Sequence, residues 1–152
     1  MFRLGPLDAK DARAILSWHY KDPYGFYDPA SLPEDAALFL DEEYRSLHLL
    51  GAYDEAGLLR GFFEFQSEGG MVEVGLGLRP EDTGQGLGGA FLEDGLAYAQ
   101  ETLHPESFRL YVAAFNQRAI TVYERAGFQE TGRETRELLG RAWEFIEMRR
   151  PA

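Results

Sequence analysis

The sequence predicts a single α/β (α+β) domain over residues 1–152, and three observations carry that expectation. First, 152 residues make one domain by length, long enough to bury roughly 70% of the unfolded surface. Second, apolar runs with strand character alternate with runs of helical spacing. Met71–Leu78 reads as a buried strand, and Leu92, Leu96, Ala99 and Leu103 then recur at i, i+4, i+7 and i+11 on one helical face. Third, a hydrophobic content of 45%, with eleven Phe and eight Tyr, supplies a core.

The elements follow in order. Phe2-Arg-Leu4 alternates as a short first strand, closed by Gly5-Pro6. Asp8 is an N-cap for a helix that turns Ala12, Ile15 and Leu16 inward, with Trp18 near its end. Trp18 to Pro29 is unusually aromatic for a loop; its rings either wall a pocket or cover a core edge. Pro33 at N1 opens a second helix running to about Tyr44. A meander follows: strand Leu47–Tyr53, turn Asp54–Gly57, strand Leu59–Phe65, turn Glu68–Gly70 and the central strand Met71–Leu78. A glycine loop leads into a third helix that ends near Leu103-His-Pro105, and Phe108–Ala113 forms a fifth strand. Asn116 caps a fourth helix with Ala119, Val122, Tyr123 and Ala126 on one face, and Gly127 supplies its stop. Phe128–Gly140 and Arg141–Met148 read as a final hairpin.

Bulk properties exclude several function classes. Without cysteine there is no disulfide framework, thiol nucleophile or Cys-based zinc site, and the three histidines show no metal-ligand spacing, so no metal is expected. A net charge of −11 argues against nucleic-acid binding through a broad basic surface. It suits a cationic small-molecule partner such as an amine, and equally serves solubility. No run approaches a membrane span, and the start Met1–Pro6 lacks a signal-peptide core. A cytoplasmic protein with no membrane partner, a monomer or homodimer, is expected.

The stretch Gly75–Ala90 organises the rest. Pro80 breaks the strand, and Gly84, Gly86, Gly88 and Gly89 precede a helix. A strand, a glycine turn and a helix start form an anion site, because unpartnered amides and the helix dipole favour negative charge and absent side chains admit a phosphate. The same glycines could instead serve only close packing of helix and strand. As a P-loop the stretch fails, since Gly88-Gly89-Ala90 stands where Gly-Lys-Ser/Thr is required. As a dinucleotide fingerprint, Gly84, Gly86 and Gly89 match formally, but the expected distal acid is replaced by Arg109. The third reading is acyl-CoA binding.

Pro80–Gly89 resembles the pyrophosphate loop of the GNAT acetyltransferases, whose pattern is Arg/Gln-x-x-Gly-x-Gly/Ala after the fourth strand. Downstream, Asn116, Ala119, Tyr123, Gly127 and Phe128 fall at the spacing of the family's Asn-x-x-Ala-x-x-x-Tyr-x-x-x-Gly-Phe unit. Two motifs in the right order cover about a third of the chain. Thr83 departs from the pattern by occupying the Arg/Gln place. The resemblance implies a GNAT-like fold, with a central mixed, mostly antiparallel sheet of six to seven strands flanked by about four helices. It also implies an acetyl-CoA-dependent N-acetyltransferase acting on a primary amine of a small molecule or peptide by direct attack on the thioester. A non-catalytic acyl-CoA-binding module of the same fold is the alternative.

The implied cofactor-binding residues are Leu76, Gly77 and Leu78 for the pantetheine arm and Gly84, Gln85, Gly86, Gly88 and Gly89 for the pyrophosphate, with Asn116 adding to both cap and site. Glycines at 75 and 77 leave room for an arm along the strand, or mark a bulge. Tyr123 is implied as the acid that protonates the leaving thiolate, although spacing alone makes it a core tyrosine. As base, Glu73 falls in an otherwise apolar strand, where an unpaired carboxylate is costly and its pKa rises. Glu64, between Phe63 and Phe65, has a similar setting. A fifth-strand base found in one branch of the family does not carry over, because Tyr111 stands there.

Overall fold

A computed structural model describes all 152 residues, Met1–Ala152. Its regular elements are β1 (Arg3–Pro6), α1 (Ala9–Leu16), α2 (Pro33–Leu40), α3 (Glu42–His48), β2 (Leu49–Tyr53), β3 (Leu59–Glu68), β4 (Met71–Leu78), α4 (Gly88–Leu103), β5 (Ser107–Ala113), α5 (Gln117–Arg125), β6 (Gln129–Leu138) and β7 (Arg141–Pro151). Two short 3₁₀ turns cover Tyr24–Tyr27 and Pro80–Asp82. The strands form one sheet in the order β1-β2-β3-β4-β5-β7-β6. It is mixed: β4 and β5 run parallel, whereas β1–β2, β2–β3, β5–β7 and β6–β7 are antiparallel. The expected sheet is thus present, with five helices instead of about four. No helix is long and apolar enough to cross a membrane.

The chain forms two compact units. The first comprises Met1–Glu64 with Leu76–Gln85. The Asp8 carboxylate caps α1 by accepting from the Asp11 amide at 2.8 Å, which directs Ala12 and Ile15 into a cluster with Leu7, Phe39 and Leu49. Trp18, Tyr44 and Phe62 pack against that cluster. The second unit comprises Phe65–Gly75 with Gly86–Ala152. Here the apolar face of α4 (Phe91, Leu92, Leu96) is fully buried, as are Phe108 and Leu110 of β5. Full burial of each such side chain contributes about 1.5–3 kcal/mol.

The expected second helix is two helices. Asp41 takes an extended conformation (ψ 116°) that ends α2, and its carboxylate accepts from the Tyr44 amide at 3.0 Å to start α3. Arg45 fixes the break, donating from Nη1 to the Phe39 carbonyl at 3.0 Å and from Nε to the Leu7 carbonyl at 3.2 Å. Consequently Leu47 and His48 are helical, and β2 starts at Leu49 rather than Leu47. β3 runs to Glu68, past the expected end at Phe65. Its polar end is held by sheet pairing rather than side-chain burial.

Candidate functional site

The glycine loop is anchored by ion pairs at its start. Asp82 is 4% exposed and accepts from Arg60 Nε at 2.6 Å and Arg79 Nε at 2.7 Å. Arg60 also bonds Asp54, and its carbonyl accepts from the Arg79 amide at 2.8 Å. Burial pushes the Asp82 carboxyl up, but the Arg60 and Arg79 guanidiniums outweigh it and hold it below the usual carboxylate range. A folded-state pKa below the unfolded one means stability that is present above about pH 4 and lost as pH falls through the folded value. Asp82→Asn is therefore expected to cost about 3 kcal/mol at neutral pH, because two guanidiniums lose their shared partner. The same variant should unfold less steeply with acid than wild type. Denaturant unfolding of both proteins at neutral pH and at about pH 3 checks this.

Beyond the anchor, Gly84 (φ 74°) and Gly86 (φ 77°) occupy the left-handed region, which glycine alone enters without strain. A Cβ built at Gly86 or Gly89 would meet no atom within 4 Å, so the loop presents bare backbone to open space. Leu87 precedes α4 and no side chain caps it, leaving the first amides of a 16-residue helix for an external partner. A cradle of this kind fits a pyrophosphate. The loop's polar side chains bond back to its own backbone. Thr83 Oγ1 donates to the Pro80 carbonyl at 2.8 Å, and Gln85 Nε2 donates to the Glu81 carbonyl at 2.7 Å. Both are tied to the 3₁₀ turn.

In the second unit, α5 packs beside the start of α4. A Cβ on Gly88 would lie 3.5 Å from Val122 Cγ2, an ordinary van der Waals contact, so the packing itself does not require glycine there. Asn116 caps α5 as expected, accepting from the Ala119 amide at 3.3 Å, and Gly127 (φ 95°) ends it. The buried residue of α5 is Ile120, not a member of the expected face. Ala119, Val122, Tyr123 and Ala126 are half-buried. The Tyr123 ring meets Phe128 edge-on at 6.2 Å. Gly86, Gly88, Gly89, Asn116 and Tyr123 therefore share one unit.

Leu76, Gly77, Leu78, Gly84 and Gln85 share the other. The β4–β5 ladder covers only Met71↔Ser107, Val72↔Phe108 and Glu73↔Arg109. Val74 and Gly75 lie past its end. Gly77 corrects an expectation: its missing side chain does not leave space for a ligand arm. A Cβ there would meet Phe62 Cε1 at 2.6 Å and the Tyr20 hydroxyl at 3.2 Å, so glycine is needed to seat those rings. Tyr20 donates to the Leu78 carbonyl at 2.6 Å, and burial followed by the charge of Asp28 pushes its phenol up, keeping the proton in place. Asp28 ties the aromatic loop together through the Tyr20 amide at 2.7 Å and His19 Nδ1 at 2.9 Å. Tyr24 and Tyr27 stack at 6.4 Å. Thus part of the aromatic segment reaches the end of β4.

The premise for Glu73 as base also needs correction. Its carboxylate is not unpaired: Arg109 Nη2 lies 2.6 Å from Oε1. Tyr111 donates to Glu147 at 3.1 Å on the neighbouring strand, and burial, then this bond, raises its pKa. Glu64 accepts from the Tyr44 hydroxyl at 2.5 Å. No cluster of three His, Asp or Glu side chains is arranged to hold a metal.

A glycine loop between the central strand and a long helix, followed by a strand and an Asn-capped helix bearing a tyrosine, places the chain among α/β proteins with a glycine loop at a helix start. Residues 2–129 match the family described as Acetyltransferase (GNAT) domain, and the chain belongs to that family. A mycothiol acetyltransferase of Propionibacterium freudenreichii subsp. shermanii is 35% identical over 130 residues, covering 82% of this chain and 34% of that protein. A mycothiol acetyltransferase of Clavibacter sepedonicus is 42% identical over 83 residues, covering 54% of this chain and 27% of that protein. The chain thus spans about a third of the length of these curated relatives. Among solved structures, a GNAT family acetyltransferase from Bacillus anthracis superposes with a TM-score of 0.78 at 16% identity, over 99% of this chain and 98% of that one. Spermidine N-acetyltransferase from Vibrio cholerae, solved with CoA and spermine, gives 0.74 at 21%, over 99% and 95%. These two likenesses concern the fold.

Proposed function

We propose that residues 1–152 form one acetyltransferase domain that uses acetyl-CoA as co-substrate and transfers its acetyl group to a primary amine. The observation that carries this reading is the pair of left-handed glycines, Gly84 and Gly86, opening onto the uncapped start of α4. In that arrangement the amides of Gly84–Gly89 grip the pyrophosphate, and the backbone of Leu76–Leu78 takes the pantetheine arm and polarises the thioester carbonyl. The amine nitrogen attacks that carbonyl carbon, the C–S bond breaks, and the thiolate leaves with a proton from Tyr123. Since phenol ionises near 10 and thiol near 8.5, this transfer is uphill by about 2 kcal/mol, which a preformed hydrogen bond to sulfur accommodates. The amine loses its proton to water or to a carboxylate, of which Glu73, paired with Arg109, is one candidate. The aromatic segment Trp18–Tyr27 walls the acceptor site, consistent with Tyr20 bonded to the Leu78 carbonyl.

The test is release of free thiol from acetyl-CoA across a panel of primary amines. Acetyl transfer predicts amine-dependent, saturable release. Saturable CoA binding with no amine dependence points to a binding module instead.

A further inference from the structure

The sheet ends on two edges, β1 and β6, which differ in kind. β1 has four residues and closes on Pro6, a length and a residue that discourage a further strand. β6 has ten residues, Gln129–Leu138, with neither proline nor lysine, and none of them is buried. Its outer row of backbone amides and carbonyls has no strand beside it. A bulge between Glu130 and Gly132 interrupts the ladder with β7 near its start. From there the pairing runs without a shift from Gly132↔Glu147 to Leu138↔Arg141. The regular part of the free edge is thus residues 132–138, and Thr135 is its centre.

Charge is arranged antisymmetrically about that centre, in the order Arg133, Glu134, Thr135, Arg136, Glu137. Two such edges set antiparallel about a twofold axis at Thr135 match residue for residue. Thr135 faces its own copy, Glu134 faces Arg136, and Arg133 faces Glu137, each charged pair occurring twice. The axis stands perpendicular to the sheet, so Glu134 and Arg136 meet on one face and Arg133, Thr135 and Glu137 on the other. The outermost pair sets Leu138 against Gly132, a large side chain against none. Neighbouring registers lose the match, because like charges directly opposite each other are destabilising. Centring on Arg133 or Arg136 opposes that arginine to itself, and centring on Glu134 does the same with a glutamate. Centring on Gly132 sets Glu130 against Glu134.

The side chains are available for this pairing. Glu137 is exposed and makes no ion pair within its own chain. Arg133 bonds Glu130 through Nε and Nη2 and Glu144 through Nη1, which leaves guanidinium N–H groups for a further acceptor. Arg136 lies over the rings of Tyr111 and Phe145 at 4.6 and 4.7 Å and bonds Glu134 at 2.9 Å, so this row is ordered before any partner arrives. A net charge of −11 repels a second copy at long range, so contact between copies requires local complementarity of this sort. We infer that β6 is an interface for a second copy of this chain, two β6 strands pairing antiparallel about Thr135 to join two seven-stranded sheets into one.

A single strand pair is small beside a standard interface, so monomer–dimer exchange in the micromolar range is expected. Sedimentation equilibrium at about 0.15 M salt, which screens the long-range repulsion, reads it. Glu137→Arg puts arginine opposite arginine twice and should raise the dimer Kd at least about tenfold, with the melting temperature unmoved. Adding Arg133→Glu exchanges the charges of both pairs and should return the Kd to within about threefold of wild type. Hydrogen exchange on wild type needs no variant: amides within residues 132–138 should slow as the concentration rises through the Kd, while β1 stays unchanged. A wild type that remains monomeric at millimolar concentration overturns the inference. So does a Kd insensitive to Glu137→Arg, a charge exchange that fails to rescue in a protein with native circular dichroism, or protection confined to another segment. Where the doubly substituted protein is not native, the exchange pattern of wild type decides.

Discussion

Replacing Tyr123 by phenylalanine is expected to slow the chemical step by about 10²–10⁴-fold while leaving acetyl-CoA affinity nearly unchanged. The argument starts at Asn116, whose side chain fixes the first turn of α5, and ends at Gly127, whose left-handed conformation stops it. Tyr123 is set seven residues beyond that cap, next to Val122, which touches the start of α4. The ring is half-buried and packs on Phe128, so phenylalanine keeps the packing and removes only the hydroxyl. A structural tyrosine predicts the reverse: a lower melting temperature and unchanged turnover per folded molecule. Rapid-quench rates at saturating acetyl-CoA decide between them, because they report chemistry even where product release limits steady turnover.

Gly86→Val should weaken acetyl-CoA binding by at least about 100-fold. A β-branched residue at φ 77° carries backbone strain of about 1–3 kcal/mol, and its side chain projects into the open space that the phosphates need. The loop can relieve the strain only by moving its amides off target. Circular dichroism should remain native, because Gly86 is exposed and packs against nothing within 4 Å of its Cβ position. Thr83→Ala provides the contrast. Its hydroxyl bonds the Pro80 carbonyl, so the loss should be no more than about 0.5–1.5 kcal/mol of loop order, and CoA affinity by calorimetry should stay within about tenfold.

What could be read from the sequence was local. Met71–Leu78 was delimited correctly because Gly70 and Pro80 bracket it, and α5 because Asn116 and Gly127 punctuate both ends. The break at Asp41 was missed although a capping residue followed by Glu42 and Glu43 is a helix-start signal; the continuous run of helix formers hid it. Arg79 lies three residues from Asp82, but the long-range charge partners were not legible. Arg109 is 36 residues from Glu73, and Arg60 is 22 from Asp82, so nothing in spacing announced that one carboxylate was neutralised and the other anchored the loop. Gly77 misled for a related reason. Its sequence context shows a missing side chain, but only the fold shows that Phe62 and Tyr20 fill the place.

Direct transfer from thioester to amine is the centre of this account, and a single-turnover experiment reaches it. With protein in excess over isotopically labelled acetyl-CoA and an accepted amine present, mass spectrometry should find the label on the amine nitrogen, with an equal amount of free CoA and no acetylated protein at any time. Label that appears first on the protein, or that stays on CoA while CoA binding saturates normally, would contradict it.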